Sequence, residues 1–149
     1  MRRSPLLLAA ALAAALVLPA VPAAAAPHAP VAGCFSSGCT GKDPAKHCQG
    51  DAETVDSLRL PTATLELRYS PSCEAVWARL SGPWPVGAKG APQARVIRNQ
   101  DGRTYTCTYA RRDQRLCWTR MLNERGFQSY AFAEYDTGMG VQRARTGAY

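Results

Sequence analysis

The stretch ATLELRYSPSCEAVWARL, residues 63–80, decides the fold. Its first half alternates strictly. Ala63, Leu65, Leu67 and Tyr69 fall on one side, and Thr64, Glu66 and Arg68 on the other, which is the period of a half-buried strand. Its second half is ambiguous. Cys73, Val76, Trp77 and Leu80 fit helical spacing, with Ser70-Pro71 and Gly82-Pro83 as start and stop signals. The same residues also fit the return strand of a hairpin turning at Ser70-Pro71-Ser72.

The surrounding chain favours strands. ARVIR and RTYTCTY flank NQDG, whose Asp101-Gly102 is a hairpin-turn dipeptide. RLCWTRML and QSYAFAEY read as two further short strands around NERG. Folding the chain about ARRDQ sets Cys107 opposite Cys117, at a separation a disulfide tolerates. The expected fold is mainly β: a small antiparallel sheet or barrel-like domain of five to seven strands. Leu65, Leu67, Val76, Leu80, Val96, Ile97 and Leu116 are its core candidates.

Residues 1–25 read as a signal peptide. Arg2 and Arg3 precede an apolar run from Leu6 to Val21, and small residues follow it. Residues 26–32 read as a flexible leader, 33–135 as one domain, and 136–149 as a loose tail. The expected compartment is extracellular, with no membrane anchor after processing and a monomeric product. In that compartment an even cysteine count implies disulfides, so Cys34, Cys39, Cys48, Cys73, Cys107 and Cys117 are expected to form three bridges.

Charge is uneven along the chain. The formal net charge is +7; residues 27–88 carry five basic and six acidic side chains, while residues 89–149 carry eleven basic and five acidic. A positive second half suits an anionic polymer as partner and equally suits a solvated face.

Established chemistries match poorly. The cysteine spacings C-x4-C and C-x8-C are not those of zinc sites, and Gly41-Lys42-Asp43 fails the phosphate-loop pattern. His28 lies in the leader and His47 beside Cys48, so neither marks a hydrolase triad. Asp51, Glu53, Asp56, Glu66 and Glu74 are available as paired carboxylates, but nothing marks a pair with the separation glycosidases use. VAGC, residues 31–34, looks like a lipobox but is separated from the apolar run and would leave five cysteines. No cofactor, metal or nucleic acid is expected.

Cys34, Cys39, Gly41-Lys42-Asp43-Pro44, Cys48, DAETV and LELRYSPSCEAVWARL together resemble the domain of unknown function 2690, common in actinobacteria; the dense match covers residues 34–80. The resemblance implies that Cys34, Cys39, Cys48 and Cys73 form one group, with Cys107 and Cys117 an added pair. It implies strand for residues 73–80. It also implies a binding module more than an enzyme, since related domains stand alone or follow helix-turn-helix regulators. Residues 33–48 then form a loop without regular structure, tied to itself and to the sheet through Cys73. Lys42-Asp43-Pro44 is turn chemistry or, in the sharper reading, a functional pair.

The expected function is a secreted, non-catalytic binding module of the cell envelope, its ligand an anionic wall polymer or another extracellular protein. The alternatives are a secreted hydrolase and a small disulfide-rich protein inhibitor. Lys42, Asp43, Arg111, Arg112 and Arg115 are the candidate ligand-binding residues, and Trp77 or Trp84 a candidate stacking face.

Overall fold

The computed structural model of the chain describes residues 33–149. The expected signal peptide and leader fall on residues 1–32, outside the described residues. No helix among the described residues is long and apolar enough to cross a membrane.

The hairpin reading of residues 63–80 holds. Strands β2 (Thr64–Ser70) and β3 (Ala75–Ser81) pair antiparallel over seven residues, from Thr64 opposite Ser81 to Ser70 opposite Ala75. Strand β1 (Glu53–Arg59) lies beyond β2 with a bulge between Thr54 and Asp56. On the other side of β3, β6 (Leu116–Trp118) and the two-residue β7 (Leu122–Asn123) pair with its two ends. A second antiparallel sheet runs β5 (Thr104–Thr108), β4 (Gln93–Arg98), β8 (Ser129–Asp136), β9 (Val141–Arg145). The domain is therefore two packed sheets, open at their edges, and not a closed barrel.

The two sheets supply unlike halves of the core. The first offers Leu65, Leu67, Val76, Ala78 and Leu80; the second offers Ala94, Val96, Ala131 and Ala133. Large side chains from one layer fill the space left by alanines on the other, as close packing requires. Each buried leucine contributes about 2–3 kcal/mol by leaving water.

A second, smaller core lies on the outer side of the first sheet. Ala75 and Trp77 pack there against Cys39, Cys48, Cys73 and Met121. Its lid is the stretch from residue 33 to 52. That stretch holds a 3-10 turn (Ser36–Cys39) and a single helical turn, α1 (Pro44–His47), which the expectation of no regular structure missed. Strand β3 thus buries residues on both faces. This explains why its apolar spacing imitated a helix.

Three bridges hold these layers: Cys34–Cys39, Cys48–Cys73 and Cys107–Cys117. The first closes the lid on itself, and the second ties the lid to the β2–β3 turn. The third was expected across a hairpin, and the pairing is right but the geometry is not. β5 belongs to the second sheet and β6 to the first, so Cys107–Cys117 links the two sheets, with Cα atoms 5.9 Å apart. Tyr109 makes the crossing; it is buried, with its hydroxyl 3.0 Å from the Gly82 carbonyl oxygen and 3.3 Å from that of Leu80.

Three further expectations are corrected. Leu116 is 40% exposed and Ile97 half-buried, because both point outward from their strands. The inward partner at the end of β4 is Arg98, which is buried. Residues 141–145, expected in a loose tail, form β9, paired to β8 from Phe132 opposite Arg145 to Asp136 opposite Val141.

Candidate functional site

Asp43 caps α1: its side chain accepts a hydrogen bond from Ala45 N at 3.0 Å, with Pro44 in the first helical turn. The same Oδ1 accepts a second bond, at 3.0 Å, from the indole Nε1 of Trp118. That contact joins the stapled lid to β6 and holds the indole in place while leaving it 38% exposed.

The backbone reinforces the arrangement. Gly41 N donates to the Met121 carbonyl at 2.8 Å and Met121 N to the Lys42 carbonyl at 3.0 Å. Arg120 Nη1 donates to the Gly41 carbonyl at 2.9 Å. Gly41 has φ +81°, and a Cβ there would lie 2.9 Å from the Tyr105 hydroxyl, so a side chain would be both strained and crowded.

Between lid and strand runs an open groove of about 400 Å3, lined by Lys42, Asp43, Lys46, His47, Trp118 and Arg120. On the other side of Trp118 a smaller pocket of about 30 Å3 is bounded by Pro44, Gln49, Arg68, Trp77, Arg79 and Leu116. Arg79 on its wall is held by Glu66, whose carboxylate accepts from Arg79 Nε at 2.5 Å and from Thr54 Oγ1 at 2.9 Å. Burial pushes the Glu66 carboxyl up, but the bonds from Arg79 and Thr54 and the Arg68 charge outweigh it and hold it below the usual range. Arg79 is raised, chiefly by its bond to Glu66. Arg68 is lowered by burial and by the neighbouring Arg79 charge.

The candidate ligand residues divide between two places. Lys42 and Asp43 lie in the groove, where Asp43 caps α1 as the turn reading expects. Arg111, Arg112 and Arg115 lie in the loop from β5 to β6 and are engaged there. The Arg112 guanidinium sits 4.9 Å from the centre of the Trp84 ring and donates to the Ala88 carbonyl at 3.1 Å. Arg115 donates to the carbonyls of Arg112 and Gln114, and Arg111 lies 3.5 Å from Asp113. Trp77 is buried and Trp84 packs against the main core, so neither is the stacking face.

Trp118, Lys46 and Arg120 were not singled out from the sequence. One local signal pointed to the first: on a strand whose Cys117 faces inward, Trp118 must face outward.

The sequence profile described as a protein of unknown function (DUF2690) matches residues 37–132, well past the motif-dense part and into the first half of β8. The chain is also 28% identical over 123 residues to the uncharacterized protein YjfA of Bacillus subtilis strain 168, covering 78% of this chain and 73% of that one. No solved structure matches. With its profile match spanning most of the lid, the first sheet, the crossing bridge and two whole strands of the second sheet, the chain belongs to the DUF2690 family.

Proposed function

We propose that the chain is an exported, non-catalytic binding module of the cell envelope that holds an anionic wall polymer in the groove around Trp118. The observation that carries this reading is the exposed indole, oriented by Asp43 and flanked by Lys42, Lys46 and Arg120. An indole face stacks on a sugar ring, and ammonium and guanidinium groups take phosphate or carboxylate oxygens. Asp43 Oδ1 is already bonded to two donors, which suits a positioning role better than proton transfer. Three disulfides are consistent with an extracellular protein, and the signal-peptide pattern of residues 1–25 supports export.

The test is co-sedimentation of the mature protein with purified cell walls. Raising salt from about 0.05 M to about 0.5 M should release most of it, because exposed charges are screened within a few ångströms. The Lys42→Gln/Lys46→Gln/Arg120→Gln variant should lose about tenfold in affinity, as should Trp118→Ala. Retention that ignores both salt and these substitutions overturns the assignment.

A further inference from the structure

The groove lies on the outer side of the first sheet. The outward face of the second sheet carries a separate set of cations, and its register arranges them. Thr106 of β5 lies opposite Arg95 of β4, Arg95 opposite Phe132 of β8, and Phe132 opposite Arg145 of β9. Neighbouring strands are about 5 Å apart, so Arg95 and Arg145 flank the Phe132 ring at about 10 Å from each other.

Both arginines lean on aromatic rings. The Arg95 guanidinium lies 5.6 Å from the Phe132 centroid and that of Arg145 4.6 Å from the Tyr130 centroid. Such stacking fixes the fork of donors on the surface and leaves its edge free for an oxyanion. In the adjacent row Arg143 pairs with Glu134 at 2.9 Å. Among the described residues, no ion pair engages Arg95 or Arg145. Thr106 and Thr108 of β5 are exposed and add hydroxyl donors along one side.

We propose that this face is a second polyanion-binding surface, so that one domain bridges two segments of wall polymer. The occupant is a phosphate-bearing chain: two unpaired guanidinium groups in a row on a flat face match oxyanions spaced along an extended polymer. The inference rests on the groove taking the first segment. Two sheets packed about 10 Å apart separate the faces, so a segment in the groove lies on the far side of the core from Arg95 and Arg145. Arg95 and Arg145 therefore act on a different polymer segment from Lys42, Lys46 and Arg120.

Light scattering with a soluble poly(glycerol phosphate) polymer tests this. The wild-type protein should raise scattering to a maximum at intermediate ratio, and excess protein or excess polymer should reverse it. Arg95→Gln/Arg145→Gln should abolish the maximum and weaken capture on immobilised polymer about tenfold, by loss of the second contact. Arg103→Gln/Arg125→Gln, which removes the same charge elsewhere, should cross-link like the wild type. Thermal melting verifies that each variant is folded. Wild-type protein that binds the polymer without any scattering maximum overturns the bridge and leaves the groove standing. An Arg95/Arg145 variant that still cross-links also overturns it. Absence of all wild-type binding removes the groove assignment as well.

Discussion

Replacing Glu124 by Gln should make the protein more stable at alkaline pH and remove a pH dependence from the wild type. Glu124 is 8% exposed and follows β7, where its carboxylate accepts bonds from both N and Oγ of Ser129 at 2.7 Å. Burial pushes its pKa up to about 7, against the opposing pull of the Ser129 bonds and the Arg98 charge. In the unfolded chain the group titrates near 4.5. Between about pH 4.5 and 7 the folded state therefore binds more protons than the unfolded state, so stability falls as pH rises. At about 1.4 kcal/mol per unit, the full loss above pH 7 is about 3 kcal/mol. Gln preserves the shape, accepting from Ser129 N and donating to Ser129 Oγ. Glu124→Gln should match the wild type within about 1 kcal/mol near pH 4.5 and exceed it by about 2–3 kcal/mol near pH 8.5. Asp51 and Glu66, held below the ordinary carboxylate range, act oppositely at lower pH and are common to both proteins. Guanidinium unfolding without reductant, followed by tryptophan fluorescence, measures the difference. Parallel pH curves for the two proteins, or a variant less stable than wild type near pH 8.5, would refute the reasoning.

The bridges should rank by the loop each closes. Removing Cys48–Cys73, with a sequence separation of 25, should cost about 3.5 kcal/mol; Cys107–Cys117, separation 10, about 3; and Cys34–Cys39, separation 5, about 2. Paired Cys→Ala variants compared by denaturant midpoint give the order, and a Cys34–Cys39 loss exceeding the other two contradicts it. Tyr109→Phe should cost about 1 kcal/mol, because the Leu80 and Gly82 carbonyls lose their shared hydroxyl donor at the sheet crossing. An unchanged midpoint would place those carbonyls in contact with solvent. Gly82→Ala should cost about 3 kcal/mol or more in the same assay. Gly82 has φ +140°, and a Cβ there meets the Thr62 carbonyl oxygen and lies 2.7 Å from the Ala63 Cα.

How far the sequence could be read depended on how many surfaces each strand buries. β2 was legible because its Leu65 and Leu67 face the core while Thr64 and Arg68 are half-buried. β3 was not, because Val76 and Leu80 enter one core while Ala75 and Trp77 enter another. On β4 the pair Val96-Ile97 read as two core residues, whereas alternation sends Arg98 inward in place of Ile97. A buried guanidinium is tolerable only with partners, and Arg98 has them. It bonds Asp101 in its own hairpin turn at 2.9 Å, bonds Asn123 on β7 at 2.6 Å, and stacks 4.1 Å from the Phe127 centroid. Two of those three partners come from a segment more than twenty residues away, which local pattern does not reveal.

The groove follows the same logic. Lys42-Asp43-Pro44 was readable as a turn because capping is local; its meeting with Trp118 spans 75 residues and depends on where the lid lands. What determines the landing is Cys48–Cys73. Cys73 lies in the turn just before β3, so the bridge anchors the lid beside Ala75 and Trp77, and that leaves α1 against the free end of β6. Had β3 buried only one face, the lid would have no apolar surface to cover and Asp43 no strand to reach. The two-sided strand that hid the fold from the sequence is thus also the reason a groove exists at its edge.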